Sequence, residues 1–173
     1  MVRFDFVLDS SLNVYLMEVN MSPNLSTKHF SGNRLLYEQV IYNLLRLVGI
    51  GRPGINAPSL LPTTREEYEM QVSDKDISVF PEKCSSHRCS EPESCEQVDC
   101  RLCQHCLSTE QEEFLKLAYL EQLNRHATKR LYPRPTGAKI SLDNINLKEL
   151  SVNNAIMHQW YLGKCLIDES WCH

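Results

Sequence analysis

Residues 2–20 read VRFDFVLDSSLNVYLMEVN. Two runs rich in β-branched and aromatic residues, Val2–Leu8 and Val14–Val19, flank the turn-forming string Asp9–Asn13, and that alternation predicts a β-hairpin. With Ser11 and Leu12 at its tip, Asp5 lies opposite Glu18. Because side chains alternate between faces along a strand, Asn20 then shares the face of Glu18. Three oxygen-bearing side chains converge on one face. Two carboxylates held there repel each other unless a cation or a base lies between them, so the face is either solvated or asks for a partner such as magnesium, which prefers hard oxygen ligands.

Working outward, Asn33 is a candidate cap for a helix reaching Val48, with Leu36, Val40, Leu44, Leu47 and Val48 as an apolar stripe and Gly49 as a stop. Such a stripe is expected to pack on the other face of the hairpin. The run GRPGINAPSLLP at 51–62 is punctuated by Gly and Pro, which marks a boundary. The acidic stretch that follows, up to Lys83, keeps no period and reads as an extended tether.

The chain has 173 residues, eight cysteines and a net charge of −4. Its apolar content of 42% and charged content of 23% suit a globular chain. The acidic balance argues against nucleic acid as a partner. No run approaches the roughly 20 apolar residues of a bilayer span, so no membrane segment is expected.

Six of the cysteines, Cys84, Cys89, Cys95, Cys100, Cys103 and Cys106, crowd into CSSHRCSEPESCEQVDCRLCQHC, with His87 and His105 among them. The two overlapping C-x2-C pairs are zinc-knuckle elements and put zinc ahead of disulfides. Disulfides are the competing reading and would imply a secretory compartment; uncoordinated thiols come third. Capping-box signals at Ser108 and Thr109 open a helix expected to run to about Leu131, with Leu115, Ala118, Tyr119 and Leu123 on one face. Its basic end, Arg125, Lys129 and Arg130 with Arg134 beyond, reads either as a solvated helix terminus favoured by the dipole or as a contact for an acidic tail. A shorter helix is expected over 151–162, with Val152, Ala155, Ile156 and Trp160 facing the core and Gly163 after it.

The string FDFVLDSSLNVYLMEVNMSPNL, residues 4–25, resembles the C-terminal ATP-grasp signature of tubulin tyrosine ligase-like proteins, and the resemblance covers about the first 50 residues. It implies that Asp5, Glu18 and Asn20 hold the magnesium ions of bound ATP, and that Ser22–Leu25 lie beside the amino-acid and acceptor pocket. Arg3 stands where many members have glycine, and there it would bind phosphate or fill the site. The resemblance further implies an intact enzyme that phosphorylates a carboxylate with ATP and joins it to an amine, glutamate being the donor and tubulin or microtubules the acceptor. Such an enzyme would work in the cytoplasm, on the cytoskeleton or in a cilium. The family carries its glycine-rich loop, nucleotide-gripping lysine and adenine pocket in segments upstream of this one, so ATP turnover by this chain alone is not expected.

The expected fold class is α+β: part of an ATP-grasp C-terminal lobe over 1–50, a linker over 51–83, a cysteine-rich segment over 84–106 and a helical region over 107–173. A non-catalytic interaction module, a degenerate ATP-grasp remnant with a cysteine-rich partner site, is the alternative.

Overall fold

A computed structural model of the chain describes residues 1–28, 30–50, 71–135 and 147–173. Most of the expected linker, 51–70, lies outside the described residues. The chain forms two compact units, Met1–Ile41 and Tyr42–His173, and the mixture of a two-stranded sheet with helices fits the α+β class.

In the first unit, β1 (Arg3–Leu8) and β2 (Val14–Asn20) pair antiparallel. The Asp9 carboxylate organises the turn, accepting from the backbone N–H groups of Ser11 and Asn13, from Asn13 Nδ2 and from the Tyr15 hydroxyl. Leu12 takes a positive φ of 64°, a left-handed conformation that few side chains adopt. Phe4, Phe6 and Leu8 share one face of the hairpin with Val14, Leu16 and Val19, and all six are exposed.

Helix α1 (Arg34–Leu47) follows a 3-10 turn at Ser31–Asn33, and Gly49 at φ 80° ends it. None of its residues is buried, and Leu36 and Val40 of the expected stripe are exposed. Leu44, Leu47 and Val48, the rest of that stripe, are half-buried, so its expected burial is only partly formed.

The second unit holds the core. The turns α2 (Asp74–Ile77) and α3 (Pro81–Cys84) precede the cysteine-rich segment, and helices α4 (Thr109–Asn124) and α5 (Val152–Ile167) complete it. Val72, Ile77 and Val79, inside the expected linker, are at most 2% exposed and belong to this core with Leu115, Leu120, Ile156, Trp160 and Trp171. A stretch without periodicity thus anchors itself by three isolated apolar side chains. Trp160 meets Tyr161 and Trp171 edge-on, at ring centroids of 4.9 and 5.5 Å, the arrangement the ring quadrupoles favour.

Two helix ends differ from expectation. Ser108 and Gln111 form the anticipated capping box, but α4 stops at Asn124 rather than near Leu131. His126 adopts a positive φ of 44°, which breaks the helical run, and Arg125 and Arg130 turn away to backbone carbonyls. Leu123 is consequently exposed and Leu120 takes the core position. Helix α5 runs through Gly163 to Ile167, because that glycine lies against Val79 rather than at a terminus.

Candidate metal face and cysteine cluster

Asp5 pairs with Glu18, Phe4 with Val19 and Arg3 with Asn20, whereas beyond an irregularity after Asp5 the partners become Phe6 with Leu16 and Val7 with Tyr15. Met17 is the extra residue, a β-bulge of the kind that re-aims side chains beside functional sites. The five-residue loop alone would set Asp5 against Met17. The bulge advances β2 by one residue and returns Glu18 and Asn20 to the face of Asp5.

The side chains do converge. Asn20 Nδ2 donates to Glu18 Oε1 at 2.9 Å and reaches Asp5 Oδ2 at 3.4 Å. Arg3 caps the group: its Nε and one terminal nitrogen donate to the two Asp5 oxygens at 2.7 and 2.9 Å, and that terminal nitrogen lies 3.8 Å from Glu18 Oε1. The bond from Arg3 holds the Asp5 carboxyl below the usual carboxylate range, and the same bond raises Arg3. The two facing carboxylates are hard-oxygen donors of the kind magnesium prefers. Asn20 turns its Nδ2 toward them and would join them as a ligand by presenting its amide oxygen instead, and the guanidinium supplies the positive charge those carboxylates require.

The six clustered cysteines pair as Cys84–Cys103, Cys89–Cys100 and Cys95–Cys106, with Cα separations of 5.2 to 5.3 Å that lie within the normal range for disulfides. A sulfur bonded to another sulfur has no thiolate for zinc, so the zinc reading applies only to a reduced form of this segment. Within that form, Cys95, Cys106 and His105 are the donors already grouped, their ligand atoms within 4.8 Å of one another. Cys165 and Cys172 form a fourth pair, for which the sequence offered no signal beyond the even cysteine count.

Half of the basic run is engaged within the chain. Arg125 donates to the carbonyls of Ser170 and His173, and Arg130 to those of Pro133 and Trp171. Arg130 also stacks 3.7 Å from the Tyr161 ring centroid. Two of the four side chains considered for an acidic tail therefore fasten the C-terminal turn.

Residues 1–56 match the Tubulin-tyrosine ligase family. Through these residues the chain belongs to that family. A similar protein, "Probable tubulin polyglutamylase ttll-15" of Caenorhabditis elegans, is 38% identical over 172 residues, covering 98% of this chain. The chain spans 31% of that relative's length. No solved structure matches it significantly. The 172 aligned residues extend well past the 56 that the family match covers. Among the described residues of this tubulin-tyrosine ligase family chain, no helix is long and apolar enough to cross a membrane.

Proposed function

We propose that this chain supplies the metal-holding hairpin of an ATP-dependent ligase that adds glutamate to tubulin. The observation carrying this reading is the convergence of Asp5, Glu18 and Asn20 on one hairpin face, inside the part of the chain that matches the family; the printed name of the 38% identical relative supports the reaction class. Asp5, Glu18 and Asn20 would hold magnesium, which when bound neutralises the charge of the transferring phosphoryl group. The protein's own part is positional. The bulge at Met17 keeps both carboxylates on one side of the sheet, and the Asn20 amide bridges them so that neither rotates away. Exposed Phe4, Phe6, Leu8, Val14, Leu16 and Val19 on the reverse face suit a hairpin whose apolar face is covered by a further packed layer in the whole enzyme.

With tubulin as acceptor, the site of action is the cytoplasmic microtubule, ciliary or otherwise. The disulfides are the feature that such a location must accommodate, since bonds of this kind persist chiefly in oxidising compartments. Zinc belongs to this reading only as a ligand of the reduced cysteine segment.

The test is Glu18→Gln in the protein at its full natural length, read by ATP-dependent incorporation of labelled glutamate into tubulin. Removing one anionic oxygen and almost no volume is expected to reduce incorporation at least about a hundredfold, each 1.36 kcal/mol of lost transition-state stabilisation being about tenfold. Wild-type incorporation by this variant would remove Glu18 from the metal face.

A further inference from the structure

We infer that Arg3 is a tethered counter-cation which occupies the carboxylate pair and which a divalent ion must displace. This inference rests on the metal-face reading above and adds a regulator of its occupancy. The geometry is specific: Arg3 engages both Asp5 oxygens at 2.7 and 2.9 Å and lies 3.8 Å from Glu18 Oε1. One guanidinium thereby covers three of the four carboxylate oxygens at this face, with the bidentate fork that matches a carboxylate best.

Arg3 is held there by register as well as by charge. It pairs with Asn20 at the open end of the hairpin, so its backbone is fixed two residues from Asp5 on the same side of the strand. Asn20 Nδ2 donates to the same carboxylates from the other strand. Arg3 and Asn20 thus both reach the Asp5 and Glu18 side-chain oxygens through N–H groups, and a metal ion entering the face replaces those contacts rather than filling an open cage.

The consequence is a divalent site of reduced affinity. Arg3 and Asp5 are partly exposed, at 46% and 34% of their side-chain surface, and exposed pairs of this kind are weak. Displacement is therefore easy, and the penalty is a modest one in affinity rather than exclusion. Arg3→Gln removes the charge and the fork while keeping a polar side chain of similar length.

The experiment titrates manganese into the nucleotide-free protein at its full natural length and reads free manganese by electron paramagnetic resonance, with wild type, Arg3→Gln, Arg3→Lys and Glu18→Gln compared. Arg3→Gln is expected to bind manganese about three- to tenfold more tightly than wild type, Arg3→Lys to lie between them, and Glu18→Gln to bind more weakly than wild type. Weaker binding in Glu18→Gln together with unchanged or weakened binding in Arg3→Gln would overturn the role of Arg3 while leaving the metal face standing. Unchanged binding in Glu18→Gln would overturn the metal face and the Arg3 inference with it. All three variants change exposed hairpin side chains, so thermal midpoints equal to wild type are the expected folding control.

Discussion

Trp160 donates its indole N–H to the carbonyl oxygen of Ile77 at 2.7 Å, across 83 positions of sequence. The ring is fully buried, so this bond joins the stretch before the cysteine cluster to the last long helix where water cannot substitute. Trp160→Phe leaves the Ile77 carbonyl without its partner and a void beside Trp171. The expected cost is roughly 2 to 4 kcal/mol, measured as a shift of the urea midpoint with the disulfides kept intact. A cost near zero would mean that the carbonyl finds another donor.

Gly163 inverts an ordinary rule. Gly→Ala within a helix usually stabilises by about 1 kcal/mol, but a Cβ here would lie 2.7 Å from Val79 Cβ, 2.9 Å from Val79 Cγ1 and 3.0 Å from Phe80 Cζ. Overpacking of that kind costs about 1 to 3 kcal/mol. Gly163→Ala is expected to destabilise in thermal unfolding, and adding Val79→Ala is expected to make the two changes cost less together than their sum. Simple additivity would place the strain elsewhere.

Asp76 should make the second unit acid-sensitive. Its carboxylate accepts from the Ser73 N–H and hydroxyl at 2.8 and 2.7 Å, and those bonds lower its pKa from 3.8. A lowered folded pKa contributes stability that is present above the unfolded value and disappears as the pH falls through the folded one. Asp76→Asn is therefore expected to lower the urea midpoint at pH 6 and to differ less from wild type at pH 3. Equal differences at both pH values would exclude the carboxylate charge as the source.

The cysteine pairing predicts a distinctive digest. After blocking of any free thiols, cleavage at Lys83, Arg88, Arg101 and Lys116 should release peptides 84–88, 89–101 and 102–116 as one linked species that separates only on reduction. Peptide 165–173 should carry its bond internally. Mass spectrometry reads both, and elemental analysis should find no zinc in the oxidised protein. Blocked thiols together with bound zinc would assign the segment to thiolate coordination instead.

How far the sequence could be read depends on which residues carried local signals. The pairing of Asp5 with Glu18 was legible, but by compensation: a tip between Ser11 and Leu12 gives the same partners as the observed loop centred on Ser11 followed by the bulge at Met17. Nothing local distinguishes Met17 from a paired strand residue. The Ser108 capping box was plain because its chemistry spans only four positions, whereas the end of α4 depends on Arg125 and Arg130 reaching carbonyls more than 40 positions away. Gly163 read as a stop because the reason for a glycine there, Val79, is distant in sequence. The cysteine spacing was compatible with zinc, and only the three-dimensional pairing shows partners that are not the C-x2-C neighbours.

The order of those pairings has a mechanical consequence. Cys84–Cys103 encloses Cys89–Cys100, and Cys95–Cys106 crosses both. A pull applied at Cys84 and Cys106 would extend an unlinked segment to about 75 Å. With the bonds in place the tension passes from Cys84 across 5.3 Å to Cys103 and then along only three residues, about 10 Å of backbone. Cys89, Cys95 and Cys100 lie off that path, so the segment behaves as an inextensible clasp in the chain, transmitting load between what precedes it and α4 while most of its own length carries none.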